Sequence, residues 1–364
     1  MAFKKKEIIF LLLLLIAFFV KWYSSNSNWV EAGYAHTIYP KIGYFLRLIF
    51  GWLPFSIGDI LYGLAFLWLL FKLIKGVKNS FQKKITSRGQ GKSFSKGIFI
   101  LLCTYLIFTI FWGINYNRKG IAYQFNLTKD SITKQNVVDL NLFLVKQVNE
   151  TKLSLLLAKS SYPSNQQLFT RVENAYKKVD SIYPFLTYKP KSIKTSMWGW
   201  LGNYTGFTGY YNPFTGEAQV NTTVPKFIQP FTTCHEVGHQ LGYAKESEAN
   251  FVAFLAAIHS NDSLLLYSTY LNMFLYTNRN VGRVDTAAAK MAYKALIPQV
   301  KEDIATWQKF NASHQSFMEP IVRWGYGFYL KQNNQPQGLL SYDSVTHFLV
   351  LYYKKYGTLY VNFS

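Results

Sequence analysis

Three long apolar segments, separated by polar ones, occupy the first third of the chain. Residues 8–20 are apolar without interruption between basic flanks, residues 56–74 form a second segment, and residues 97–114 form a third that carries no charge. Because a helix that crosses a bilayer needs about 20 predominantly apolar residues, this pattern predicts three membrane spans, at about residues 7–23, 56–74 and 97–114. Asp59 is then expected near the interface.

Two of the apolar stretches allow other interpretations. The first segment is short enough to be a secretory signal peptide, but we find no convincing small-x-small cleavage pattern after it and favour an uncleaved anchor. Residues 42–55 are apolar and aromatic but contain Arg47 and Pro54. They are expected to lie at the membrane interface rather than to cross it.

Basic residues between the spans predict the orientation. Residues 75–96 carry seven Lys and Arg side chains and no acid, whereas the loop between the first two spans has only Lys41 and Arg47 as basic residues. The positive-inside rule then makes the N-terminus and the 75–96 loop cytoplasmic. We therefore predict a multi-pass protein of the cytoplasmic (inner) membrane, with a membrane region over residues 1–115 and a periplasmic or extracellular domain over residues 116–364.

Helical periodicity dominates the predicted outer domain. Between residues 196 and 224 the composition changes to Gly, Tyr, Thr and Asn with turn signals, which predicts short strands and hairpins there, including one over residues 217–222. The fold class is therefore α+β, mainly α, with a small sheet before residue 230. The predicted helices cover residues 131–160, 164–183, 245–260, 264–276, 283–310, 315–331 and 341–355.

Charge and cysteine content bear on the partners that the protein can have. The net charge is +21, but much of the excess flanks the spans and the rest is dispersed, without the clustered basic surface of a nucleic-acid platform. We expect the lipid bilayer as a partner and no nucleic acid. The two cysteines, Cys103 and Cys234, lie in different kinds of segment, so a disulfide framework is not expected; Cys234 is interpreted as a packing residue.

The sequence His235-Glu236-Val237-Gly238-His239 carries the chemistry. On a helix, two imidazoles at i and i+4 share one face, can bind a zinc ion, and leave Glu236 beside a water molecule as general base. The chain has only six histidines, so the bare pattern is expected by chance only about a few times in a thousand such chains. Pro230 can begin this helix, Thr232 or Thr233 can cap it, and Gly242 can end it.

The third metal ligand can be either of two acids, Glu246 or Glu248. On a helix these two side chains point about 160° apart, so only one of them can face the metal. The pattern resembles the gluzincin metallopeptidases, in which a glutamate opens the motif Glu-x-x-Ala-Asp; here the chain reads Glu-Ser-Glu-Ala-Asn from Glu246. The resemblance implies Glu246 as ligand and Asn250 in place of the acid that orients a ligand histidine. The related metzincin pattern has a third histidine where this chain has Lys245, a poor zinc ligand.

Further site residues are less well defined. Residues 209–220, with Tyr210, Tyr211, Asn212, Glu217 and Gln219, are a candidate substrate-binding strand; a structural hairpin is the equally weighted alternative. Donors to a developing oxyanion are sought among His314, Arg323, Tyr326 and Tyr342. His259 and His347 are interpreted as ordinary helix residues.

The whole layout also resembles an uncharacterised family of bacterial membrane proteins, a domain of unknown function with N-terminal spans and a C-terminal zincin-like domain. We expect a membrane-anchored zinc metallopeptidase with one Zn²⁺ ion, which hydrolyses peptide bonds of an envelope peptide or protein outside the cytoplasm by zinc-activated water. The alternative is a catalytically inactive zincin-like binding or scaffold module of the envelope. An intramembrane protease is disfavoured, because residues 230–242 are too short and polar to span.

Overall fold

The computed structural model describes residues 5–81, 87–127, 132–159, 161–332 and 344–357. These parts of the chain are mainly helical and include a small three-stranded sheet, which confirms the coarse prediction. Tyr342 and the start of the helix predicted at 341–355 lie outside the described residues.

The N-terminal region contains three helices that are long and apolar enough to cross a membrane. The qualifying segments are Lys5–Ser24, Ile57–Asn79 and Phe94–Phe111, so three helices with the length and composition of membrane spans lie where spans were predicted. They belong to helices α1 (Lys5–Ser24), α4 (Ile57–Phe81) and α5 (Ser87–Phe111). Helices α4 and α5 continue into the basic segment predicted as a loop, so most of its described residues are helical.

Between α1 and α4 the chain forms hydrogen bonds with residues far along the sequence. It forms a short α2 (Ser27–Trp29), a π-helix (Val30–Ile38) and α3 (Tyr39–Phe50). The apolar side chains of α3 are largely exposed, but Arg47 is buried. Its guanidinium donates to the carbonyls of Pro190 and Gln240, at 2.8 Å and 3.2 Å. The charge that interrupts this apolar run therefore binds backbone carbonyls of the C-terminal part of the chain.

Helix α11 (Glu246–Ile258) lies at the centre of the main core. Every residue of this Ala-rich helix is buried. It packs against α8 (Asn165–Ile182), α10 (Gln229–Gln240), α12 (Ser263–Val284) and α16 (Ser344–Tyr356). A helix that is enclosed on all sides needs no polar face, which explains its continuous apolar run after Asn250. The other helices after α5 are α6 (Ile121–Gln124), α7 (Lys134–Leu157), α9 (Gly199–Thr205), α13 (Thr286–Lys294), α14 (Pro298–Ser313) and α15 (Met318–Gln332).

Three short strands form the sheet beside α10. Strands β1 (Ile193–Thr195), β2 (Gly209–Asn212) and β3 (Glu217–Val220) lie in the order β1-β3-β2. Strand β3 pairs in parallel with β1 and antiparallel with β2. It is therefore the central strand, and β2 has one edge without a strand partner among the described residues.

The β2–β3 hairpin forms hydrogen bonds with the start of α4. The buried carboxylate of Glu217 accepts hydrogen bonds from the backbone N–H groups of Ile57 and Gly58, at 3.1 Å and 2.7 Å, and from Ser56 Oγ at 3.2 Å. A carboxylate at a helix N-terminus satisfies unpaired N–H groups and complements the helix dipole. The sheet and α4 are thereby joined.

Two predictions of secondary structure were wrong. Strands were predicted throughout residues 196–224, but α9 occupies part of that stretch and ends at Gly206, whose φ of +84° is the left-handed conformation of a helix C-cap. The helix predicted over residues 283–310 is instead divided among α12, α13 and α14. Asp285 departs from the helical conformation and caps α13, and Pro298 begins α14.

Candidate metal centre

Helix α10 carries the two histidines and is buried along its whole length. Pro230 lies in its first turn, as predicted. The predicted threonine cap was wrong: Thr233 Oγ1 donates back to the carbonyl of Gln229 at 2.7 Å, and Ser268 Oγ accepts from the N–H of Phe231 at 3.0 Å. The helix ends before Gly242, whose φ is +87°. This glycine lets the chain turn back and continue into α11.

His235, His239 and Glu246 converge on one point. Glu246 Oε2 lies 3.2 Å from His235 Nε2 and 3.7 Å from His239 Nε2, and the three ligand atoms lie within 4.8 Å of one another. In a tetrahedral zinc site with bonds of about 2.1 Å, ligand atoms are roughly 3.4 Å apart. The two nitrogens and one oxygen therefore form a group that could hold a metal ion.

The ring of His239 is oriented by the turn that follows α10. His239 Nδ1 lies 2.7 Å from the carbonyl oxygen of Tyr243, which can only accept a hydrogen bond. Nδ1 therefore donates its proton to this carbonyl, which leaves Nε2 as the ring atom that faces Glu246 and is available to a metal ion, the arrangement found at metal-ligating histidines. The predicted orienting role of Asn250 stays a prediction: its buried Nδ2 has no hydrogen-bond partner among the described residues, and neither has His235 Nδ1.

Opposite charges in a buried setting perturb the pKa values of the ligands. Burial raises the pKa of the Glu246 carboxyl group, but the two histidines lower it further, so it lies well below its ordinary value. Burial lowers the pKa of His239, whereas the Glu246 carboxylate raises it to about 9. Before a cation binds, His239 and Glu246 therefore hold a proton between them, and a metal ion can replace this proton.

Glu236 lies against the edge strand of the sheet. Its carboxyl group is buried, and its Oε2 has no partner among the described residues. A methyl group built on Gly209 would lie 2.7 Å from Glu236 Oε1, so only glycine at the start of β2 leaves room for this side chain. Burial raises the pKa of Glu236 to about 7, Glu246 adds to the increase, and the two histidines oppose it.

Glu248 points away from the histidines into a different buried cluster. Its Oε1 lies 3.4 Å from Lys245 Nζ and close to Gly120, where any Cβ atom would collide with it. Nearby, Arg118 donates to the carbonyl of Gly242 at 3.2 Å and pairs with Glu31 at 3.3 Å. Of the two acids left open by the sequence, the structure brings Glu246 to the histidines.

A cavity of about 710 Å³ lies over the three converging side chains. Tyr210 and Tyr211 of the predicted substrate strand line it. Glu217 and Gln219 were wrongly assigned to a substrate-binding edge, because they lie on the central strand and face the start of α4. Asn212 is buried and accepts a hydrogen bond from the N–H of Phe214 at 3.0 Å, a role within the hairpin turn.

The predicted oxyanion donors occupy different places. Tyr326 lines the cavity and donates a hydrogen bond to Glu246 Oε1. Arg323 also lines it and is paired with Glu319. His314 instead lies at the end of α14, where its ring packs against Phe310 at 4.3 Å.

The remaining residues named from the sequence do not line the cavity. His259 caps the end of α11 and packs against Tyr183, and His347 lies within α16. Cys234 is fully buried in the main core, which confirms its interpretation.

Several residues near the site come from the N-terminal region and were missed. The Trp112 ring lies 6.0 Å from the His239 ring and 4.6 Å from the Tyr211 ring. Tyr39 donates to the carbonyl of Gln240 at 2.9 Å. The only sequence signal was the run of aromatic, uncharged residues directly after the third span; the contact of Tyr39 joins residues about 200 positions apart and leaves no local pattern.

Comparison with known protein families gives a match over residues 34–350 to a family described as "Protein of unknown function (DUF3810)". The chain belongs to this family. The match covers most of the chain, including the second and third spans, the sheet and the candidate metal centre, and it confirms the expected resemblance to an uncharacterised family. No curated protein and no solved structure matches the chain.

Proposed function

We propose that this DUF3810 protein is a membrane-anchored zinc metallopeptidase that hydrolyses peptide bonds outside the cytoplasm. The observation that carries the proposal is the placement of Glu246 Oε2 at 3.2 Å and 3.7 Å from the Nε2 atoms of His235 and His239. Two imidazoles and one carboxylate, with a fourth position open to a cavity, form a typical donor set of catalytic zinc. The site therefore combines a metal-binding geometry with space for a substrate.

Glu236 has the position and proton affinity of a general base. When bound by His235, His239 and Glu246, a zinc ion supplies a Lewis acid that polarises a carbonyl group and acidifies water. The buried carboxylate of Glu236 accepts a proton from the attacking water and passes it to the leaving amine. In the metal-free site, burial raises the pKa of Glu236 to about 7, so this carboxylate binds a proton more readily than an exposed one, as a general base requires.

Strand β2 is the best place for an extended substrate. Its outer edge has no strand partner among the described residues, and Gly209, Tyr210 and Tyr211 line the cavity. A peptide that pairs with such an edge gains main-chain hydrogen bonds without regard to its side chains. Because Gly209 adjoins Glu236, a peptide bound along β2 would pass the general base.

The test measures zinc in the full-length protein purified in detergent. The full chain is needed because Tyr39, Arg47 and Arg118 bind the turn after α10. After dialysis, we expect one zinc ion per chain by elemental analysis, loss of zinc in His235→Ala and Glu246→Gln, and retention in the matched control Glu248→Gln. A wild-type protein that binds no zinc would contradict the proposal, and loss only in Glu248→Gln would overturn the ligand assignment.

Hydrolysis separates the enzyme from a scaffold that merely binds metal. The zinc-loaded protein is incubated with a broad peptide library, and the products are identified by mass spectrometry. New termini that depend on zinc support a peptidase. Full zinc occupancy without any cleavage would instead favour the non-catalytic envelope module.

A further inference from the structure

Helix α15 presents an apolar face to the outside, the reverse of a helix on a water-facing surface. Phe317, just before the helix, and Ile321, Trp324 and Phe328 follow one another at spacings of four, three and four residues, which places them on one side. Their side chains are 82%, 63%, 75% and 57% exposed. The opposite side carries Tyr326 and Tyr329, which line the cavity. A large exposed apolar surface of this kind marks a contact with lipid or another apolar partner.

The same surface continues onto α9. Trp200 and the preceding Met197 are each more than half exposed. Helices α9 and α15 are in contact, and Ser316 Oγ donates to the carbonyl of Tyr204 at 2.8 Å. We call the combined surface, formed by Met197, Trp200, Phe317, Ile321, Trp324 and Phe328, the α9–α15 face.

The helices that bear this face are attached to the second and third spans. Trp198 Nε1, at the start of α9, donates to the carbonyl of Asp59 at 3.1 Å, and its ring would lie 2.9 Å from a methyl group built on Gly63. The ring of Tyr329 lies 6.2 Å from that of Phe108. At a rise of 1.5 Å per residue, Gly63 is about 9 Å inside α4 and Phe108 about 4.5 Å before the end of α5. The helices that bear the α9–α15 face are therefore attached to α4 and α5 within the apolar segments of those two helices.

The cavity over the metal centre reaches the same level. Tyr62 of α4 and Phe108 of α5 line it, together with His235, Glu236 and Tyr326. Tyr62 lies about 7.5 Å inside α4 at the helical rise. One cavity therefore connects the candidate catalytic residues with the ends of two membrane-spanning helices.

We propose that the α9–α15 face lies in the lipid bilayer, in the leaflet next to the outer domain, and that the cavity receives polypeptides that are themselves anchored in the membrane. Lipid is chosen as the occupant because the face is exposed and apolar and its two helices are attached to the apolar segments of α4 and α5. The substrate class rests on the proposed peptidase function. A membrane-anchored chain is held at the level of the cavity, where its effective concentration is high, and a segment close to its anchor can extend along β2.

The membrane contact is tested by fluorescence quenching from brominated acyl chains in lipid nanodiscs. A fluorescent label is attached at Trp324→Cys or, as a control, at Met291→Cys, which is exposed to a similar degree on α13. Cys103 is replaced by Ser in both proteins, and Cys234 is inaccessible because it is fully buried. We expect brominated lipid to quench the label at position 324 and to leave that at position 291 unchanged. Equal quenching of the two labels overturns the membrane contact. It would mean that the face is not covered by lipid, and that a second copy of the chain or another protein covers it instead.

The substrate class is tested with one cleavable sequence in two forms, a free peptide and the same peptide joined to a membrane span in the nanodisc. Wild-type protein should cleave the anchored form faster. Trp324→Glu should lower the ratio of anchored to free cleavage by about tenfold, a difference of 1.4 kcal/mol, whereas Met291→Glu should not change it. Equal or faster cleavage of the free peptide by wild type overturns the substrate class. If neither form is cleaved, the peptidase function is contradicted, and the substrate class with it. The membrane contact is decided separately, by the quenching experiment.

Discussion

The phenol of Tyr326 donates a hydrogen bond to Oε1 of Glu246, the carboxylate whose other oxygen faces both histidines. The two residues lie 80 positions apart, on α15 and α11. With one oxygen held by Tyr326, the rotation of the carboxylate is restricted and Oε2 stays directed at the Nε2 atoms. Tyr326 is therefore a positioning residue for the third ligand.

Replacing Tyr326 by Phe removes this hydrogen bond and keeps the ring. Loss of a partner that orients a metal ligand typically costs 10–100-fold in metal affinity or activity, and we expect a decrease of about that size in zinc affinity, measured by competition with a chelator. Tyr293→Phe, on the partly exposed surface of α13, is the control. Unchanged zinc affinity in Tyr326→Phe would show that the hydrogen bond does not support the metal centre.

Replacing Gly209 by Ala tests the position of Glu236. The added methyl group would lie 2.7 Å from Glu236 Oε1 and 2.9 Å from the carbonyl oxygen of Gln219, so the carboxylate must move. Because a displacement of about 1 Å can reduce turnover about 100-fold, we expect kcat to fall on that order while zinc content is retained. Gly325→Ala, where an added methyl group meets no atom within 4 Å, should leave kcat unchanged. Similar kcat values for the two variants would place the general base elsewhere.

Glu31 makes the stability of the fold depend on pH. Its carboxylate pairs with Arg118 and accepts from the N–H of Lys119 at 2.8 Å. Burial raises the pKa of Glu31, but the Arg118 guanidinium and the hydrogen bonds lower it more, so it lies below its ordinary value of 4.5. The ionised carboxylate therefore stabilises the folded state above pH 4.5, and this contribution is lost as the pH falls through the folded-state pKa.

Glu31→Gln should accordingly lower the free energy of unfolding at neutral pH by about 3 kcal/mol, the cost of leaving Arg118 buried without its partner. Thermal unfolding in detergent from pH 7 to pH 3 measures the effect. The difference from wild type should shrink in acid, since the wild-type carboxyl group is then protonated too. The exposed Glu150→Gln serves as control, and a difference that stays constant over the whole range would refute the role of the charge.

Local signals in the sequence were sufficient for the spans and for the metal helix. Continuous apolar runs define α1, α4 and α5, and Pro230 and Gly242 frame α10, because each signal acts within a few residues. Helical geometry also required that Glu246 and Glu248 point in different directions. The order β1-β3-β2 was beyond this reasoning, since strand order depends on contacts between separate segments.

The surroundings of the site could not be predicted for the same reason. Arg47 was interpreted as a break in an apolar run, yet it is buried against the carbonyl of Gln240, 193 positions away. Arg118 and Tyr39 likewise bind the turn after α10 through backbone carbonyls, which every residue possesses and which leave no trace in the pattern of side chains. A fragment that begins at residue 116 would lack two of these three contacts.

The most direct test of the central claim compares peptide hydrolysis by the wild-type protein and by Glu236→Gln, both full-length and both at full zinc occupancy. The substitution keeps the shape of the side chain but removes its capacity to accept a proton. The wild type should cleave peptides, and the variant should lose activity by at least the factor of about 10²–10⁴ that a general base contributes. Equal cleavage by the two proteins, or none by zinc-loaded wild type, would contradict the assignment of this site as a metallopeptidase centre.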